Sequence, residues 1–278
     1  MARAVSRPFF LPGVKGRLFA LAVTPDTDTF PAQGILYFPP FAEEMNKSRR
    51  MASLQARRLA RRGYAVLLVD PYGTGDSEGE FGDARWELWQ EDMRTAARWL
   101  AAQGSRLLIA WSLRLGALLA LDTVGTLGLH VERCIFWQPL VRGDRAMVQF
   151  LRLQIAADMA TERKSTLTDL RARLAGNESL EIAGYKLAPE LWRSIEGLPL
   201  PNWPTGACEN VEWIEIAADW NQGISQPNRE IIDRWRERGV IVNDRTVPGE
   251  PFWQTTEIVE VPALVDSMDE ILLGPGIA

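Results

Sequence analysis

A single histidine, His130, and two cysteines, Cys134 and Cys208, are all that 278 residues offer for imidazole or thiolate chemistry. That scarcity excludes a histidine-rich metal centre. The cysteines stand at no redox or metal-ligand spacing and read as buried free thiols. Neither a metal nor a cofactor is expected. Long apolar runs are missing too. None approaches the roughly 18 residues of a membrane-spanning helix, and Met1 to Val14 carries Arg3 and Arg7 without the apolar stretch of a signal peptide. The expectation is a cytoplasmic protein with no membrane span. Nor is there an excess of positive charge: a net charge of −5 provides no overall field to hold nucleic acid or anionic lipid.

What is present suits an ordered globular chain, with 46% apolar and 24% charged residues. Short apolar runs at Arg17 to Val23, Gln33 to Phe38, Tyr64 to Val69, Arg106 to Trp111 and Arg133 to Gln138 read as strands. Amphipathic stretches at Lys47 to Arg62, Asp83 to Gln103 and Arg114 to Val124 alternate with them as helices. This alternation predicts a mostly parallel sheet with helices on both faces. It lapses from about 141 to 205 and resumes with a strand at Val211 to Ala217, a helix at Pro227 to Arg238, a strand at Val240 to Val247 and a helix at Pro262 to Leu272. The division expected is a core in two parts, 1–140 and 206–278, with an inserted lid over 141–205.

Three segments bear on chemistry. Asp70-Pro71-Tyr72-Gly73-Thr74-Gly75-Asp76-Ser77 follows a buried strand, Phe38-Pro39-Pro40-Phe41 ends another, and Leu107 to Leu121 runs strand, sharp turn, helix. Together they resemble the α/β-hydrolase superfamily. That resemblance implies an oxyanion-hole N–H near Phe41 and a nucleophile elbow, a strained turn flanked by small residues where strand and helix approach closely. The best register is Ser112-Leu113-Arg114-Leu115-Gly116, which puts Arg114 where the nucleophile belongs. Ser112 as nucleophile is the alternative, but it places the bulky Arg114 at a small position.

A guanidinium has no lone pair to attack with and stays protonated. At a helix N-terminus it suits an anion. The other reading has Arg114 paired internally with Glu43, Glu44 or Asp70, plugging a defunct pocket. The superfamily's histidine follows the last strand, where this chain reads Pro248-Gly249-Glu250-Pro251-Phe252-Trp253. His130 instead precedes a strand, about 20 Å from the sheet edge at which ligands bind. Asp219 approximates the acid position with no histidine to orient. The residues expected to line the site are Phe41, Glu43, Glu44, Asp70, Tyr72, Arg114, Leu115, Glu250 and Trp253, with Ser112, Arg114 and Gly116 as the degenerate elbow. The ligand expected is a small anion or carboxylate.

The run Phe38 to Arg49, with Leu113 to Ala120, Trp137-Gln138-Pro139 and Pro248 to Trp253, resembles the exosortase A system-associated hydrolase 2 family. The resemblance implies an accessory of an exopolysaccharide and PEP-CTERM protein-sorting locus, with proteins of that system as partners. A degenerate, ligand-binding member is one expectation. An active hydrolase of ester, thioester or peptide bonds using other groups is the alternative.

Overall fold

In the computed structural model, which describes residues 2–161, 164–198, 208, 210–218 and 223–273, the chain opens with a strand absent from the sequence reading. Strand β1 (Ala4–Pro12) pairs antiparallel with β2 (Arg17–Pro25), from Ala4 opposite Pro25 to Pro12 opposite Arg17. β1 carries Pro8, which breaks the usual strand pattern. An edge strand tolerates it because only one side of its backbone needs a ladder.

Next come β3 (Gln33–Phe38), helix α1 (Glu43–Arg61), β4 (Ala65–Val69), α2 (Trp86–Gln103), β5 (Leu107–Leu113), α3 (Gly116–Val124) and β6 (Val131–Trp137). β9 (Asn210–Ala217), α7 (Gln226–Glu237), β10 (Ile241–Pro248) and α8 (Pro262–Leu273) complete the core. The strands lie in the order β1-β2-β4-β3-β5-β6-β9-β10. From β4 through β10 every adjacent pair is parallel, and β2 runs against β4. Successive residues of β5 go to opposite faces. Leu108 and Ala110 join the core under α2, α3 and α7, while Ile109, Trp111 and Leu113 join the one under α1 and α8. Both faces are therefore covered, and the carboxyl ends of the parallel strands form one edge where loops converge.

Between β6 and β9 the chain forms α4 (Gly143–Ala160), α5 (Leu167–Ala175), the hairpin strands β7 (Leu180–Ile182) and β8 (Tyr185–Leu187), and α6 (Pro189–Glu196). Helix α5 starts on a capping box in which Thr166 Oγ1 accepts from Asp169 N–H and the Asp169 carboxylate accepts from Thr166 N–H, each at 3.2 Å. Aromatic packing ties the hairpin to the core, with the Tyr185 ring 5.0 Å from that of Phe81, and Asn46 Nδ2 donates to the Tyr185 hydroxyl at 2.9 Å. Among the described residues no helix is long and apolar enough to cross a membrane.

The first turn of α1 is where sequence and structure differ most usefully. The apolar residues that mark the period are Met51, Leu54 and Leu59, so the pattern suggests a helix from Lys47, yet the helix begins at Glu43. Its N-cap, Ala42, has no side-chain acceptor and a φ of 49°. Glu43 and Glu44 occupy the first turn, where the helix dipole favours carboxylates.

Candidate active-site cleft

The turn between β5 and α3 brings the site together. Arg114 is its apex, with a φ of 56°, a left-handed conformation that costs a non-glycine residue of order 1 kcal/mol. The turn is pinned on both sides: Arg114 N–H donates to the Trp137 carbonyl at 3.1 Å, and the Arg114 carbonyl accepts from Leu140 N–H at 3.0 Å. Gly116 opens α3 against the end of β3. A Cβ there would stand 2.7 Å from the Pro39 carbonyl oxygen and closer still to that of Phe38. Small residue, strained apex and close approach thus sit in the register centred on Arg114. Ser112 is inside β5, fully buried, and its Oγ has no hydrogen-bond partner among the described residues. The N–H groups of Phe41 and Leu115, beside the apex, donate to none of the described groups.

The Arg114 side chain is only 6% exposed and is held from three directions. Its Nε donates to Glu44 Oε1 at 3.1 Å and its Nη2 to Gln149 Oε1 at 2.6 Å. Its Cζ lies 5.1 Å from the centre of the Trp253 ring, a cation–π contact shielded from water. Trp253 comes from the turn after β10, which Lys47 holds against α1 by donating to the Gln254 carbonyl at 3.4 Å.

Burial pushes the Glu44 carboxyl up to about 7; Arg114 pulls it down and neighbouring Glu43 pushes it further up. Glu43 is raised too, chiefly by burial, and its Oε2 is buried with no partner among the described residues. A folded-state value above the unfolded one means that Glu44 contributes most to stability at pH below about 4.5, and that this contribution is lost as pH rises through 7. Asp92, buried and raised to about 6, acts the same way at lower pH. Glu44→Gln should therefore flatten the decline in denaturant stability between pH 6 and 7; an unchanged slope would count against the burial of this carboxylate.

Two cavities flank the Arg114 to Gln149 bridge, and both are walled by Leu140 and Gln149. The first, about 360 Å³, lies between α1 and α4, with Phe41, Leu115 and Phe150 as apolar walls, Glu43 and Glu44 inside, and Lys47 and Arg152 contributing positive charge. The second, about 300 Å³, lies between the β6 exit, the start of α4 and α7, and Arg114 lines it.

The structure thus gathers Phe41, Glu43, Glu44, Arg114, Leu115 and Trp253 at one place. It puts Asp70 and Tyr72 elsewhere. Asp70 Oδ2 accepts from Arg49 Nη2 at 2.8 Å and from Asp76 N–H at 3.0 Å, bracing the glycine loop. Tyr72 is buried behind it, its N–H donating to Asp92 Oδ2 and its carbonyl accepting from Trp89 Nε1. Glu250 is exposed and lines neither cavity. His130 is exposed just before β6, at the end of that strand remote from Trp137 and Arg114. Asp219 lies outside the described residues. Gln149, Leu140 and Phe150 escaped the sequence reading. Ala146, Gln149, Phe150 and Leu153 follow helical spacing and share the wall of the first cavity, a signal open to view had that face been assigned to the cleft.

Residues 16–134, less than half of the chain, match the family model of X-Pro dipeptidyl-peptidase (S15 family). No curated protein matches the chain. Among solved structures it is similar to Est1E from Butyrivibrio proteoclasticus with ferulic acid bound, at 16% identity and a TM-score of 0.63, covering 95% of this chain and 98% of that one. It is also similar to XC6422 from Xanthomonas campestris, an α/β serine hydrolase without a lid, at 15% identity, a TM-score of 0.57, and 98% and 97% coverage. A dienelactone hydrolase-like protein from Klebsiella pneumoniae matches at 12% identity, a TM-score of 0.55, and 97% coverage of each chain.

Proposed function

We propose that this protein, an α/β-hydrolase fold by its strand order and its structural neighbours, binds a ligand in the former catalytic cleft without hydrolysing it. The observation that carries this reading is Arg114 at the apex of the elbow, its guanidinium committed to Glu44, Gln149 and Trp253. It supplies neither a nucleophile nor room for one. The cavity beside it suits a ligand with an apolar body and a few polar groups. The segment over 141–205 acts as the lid of that cleft. The resemblance in Phe38 to Arg49, Leu113 to Ala120 and Pro248 to Trp253 supports a role as a cytoplasmic accessory of an exopolysaccharide and PEP-CTERM sorting locus.

A fluorophosphonate probe should label no serine of the purified protein, and ester, thioester and peptide panels should show no turnover above buffer. Labelling, or turnover that disappears in Ser112→Ala, would overturn the proposal. One observation favours a second reading, in which Glu44 acts as a general base on water: a carboxyl pushed up to about 7, beside Glu43, on the wall of the first cavity. Turnover that vanishes in Glu44→Gln and follows a pH limb near 7 would select it.

A further inference from the structure

The second cavity gathers positive charge in a protein whose net charge is −5. Among the described residues Arg114, Arg142, Arg145 and Arg234 line it, against one carboxylate, Glu230. Each guanidinium retains donors. Arg114 uses Nε and Nη2 on Glu44 and Gln149, leaving Nη1. Arg142 holds Asp144 through Nε and Nη2, at 3.0 and 2.6 Å, and also keeps Nη1. Arg145 and Arg234 make no ion pair within the described residues. With Glu44 and Asp144 set against Arg114 and Arg142, the described lining leaves Arg145 and Arg234 against Glu230, with a further carboxylate, Glu215, buried behind Ser225 and Asn228.

The wall is built at some cost. Gln138, at the end of β6, is like Arg114 a non-glycine residue at positive φ, here 44°. Its Oε1 accepts from Ile216 N–H at 2.6 Å, which fixes the amide and leaves Nε2 as a donor. Two strained residues, Arg114 and Gln138, therefore border the same concavity, where strain of this kind commonly marks a functional site. The start of α7 contributes nothing further, because buried Glu215 already accepts from Ser225 N–H at 3.1 Å and Asn228 Nδ2 at 2.8 Å. The attraction is thus a matter of guanidinium forks, whose planar donors match the oxygens of phosphoryl or carboxylate groups. Like charges converging in a concavity repel one another unless an anion lies between them.

We propose that this cavity, bordered by Arg114, Gln138, Arg142, Arg145 and Arg234, binds a small oxyanion carrying two or more negative charges. A volume of about 300 Å³ admits a diphosphate or a tricarboxylate. The site goes beyond the reading of the cleft as non-hydrolytic and stands whether or not the first cavity retains turnover.

The test is calorimetric titration of the full chain at low ionic strength, with inorganic pyrophosphate in one arm and citrate in the other. Binding is expected to weaken about tenfold or more in Arg145→Ala/Arg234→Ala, and to weaken as salt is raised. Both arginines are exposed, so the ligand-free melting temperature of that variant should stay at the wild-type value. Binding of both probes supports a general oxyanion site; pyrophosphate alone narrows it to phosphoryl groups, and citrate alone to carboxylates. No binding of either probe at about 5 mM, or equal affinity in the double variant, would overturn the proposal. Either result leaves the fluorophosphonate outcome untouched, so the two proposals fail separately.

Discussion

Arg114→Ala should lower folding stability by about 3 kcal/mol at pH 8, because it strips the partner from a buried carboxylate and leaves a gap over Trp253. The loss should be smaller at pH 6. There Glu44, pushed up to about 7, already carries its proton in most molecules, and removing the guanidinium strands less charge. Arg114→Gly should be about 1 kcal/mol more stable than Arg114→Ala, since a φ of 56° suits glycine and strains alanine. Denaturant unfolding of the two variants at both pH values checks all three statements. A pH-independent loss would mean that the pair with Glu44 contributes little. Arg114→Ser should be as unstable as Arg114→Ala and still show no esterase activity. The sole imidazole, His130, lies at the far end of β6, so a new hydroxyl has no histidine base.

Gly116→Val should be the more damaging change in the scaffold. The added atoms meet the carbonyl oxygens of Phe38 and Pro39, which are backbone and cannot rotate aside. Relief requires moving the β3 exit, and with it Phe41 and the first turn of α1 that carries Glu44. A cost of about 3 kcal/mol or more is expected for such overpacking, corresponding to a melting temperature lower by about 6 °C or more for a chain of this size. The control is Gly63→Ala, at a site with a φ of 99° and nothing within 4 Å of an added Cβ, where only the left-handed penalty of about 1 kcal/mol applies. Equal shifts in the two variants would show that the elbow is not tightly packed.

Much of the architecture follows from local pattern. The apolar runs of β3, β4, β5 and β6 and the amphipathic periods of α2 and α7 are properties of neighbouring residues, and they survive folding with boundaries moved by a few positions. β1 was missed because an edge strand needs neither an unbroken apolar face nor freedom from proline. The first turn of α1 was missed because Ala42 gives no capping signal and the apolar period starts later.

The sequence alone favoured Arg114 over Ser112 at the apex of the elbow, since small Gly116 two residues on and the surrounding strand and helix patterns point to that register. It also determined that no histidine follows the last strand. It left open which groups of the chain the guanidinium would meet. Only the tertiary structure decided that, by bringing Glu44 from 70 residues away, Gln149 from 35, and Trp253 from the turn after β10 onto one side chain. Asp70, an equally plausible partner in sequence, went to Arg49 instead. The physical reason is that hydrophobic period is written along the chain, whereas the pairing of a buried charge depends on which elements the sheet order places side by side.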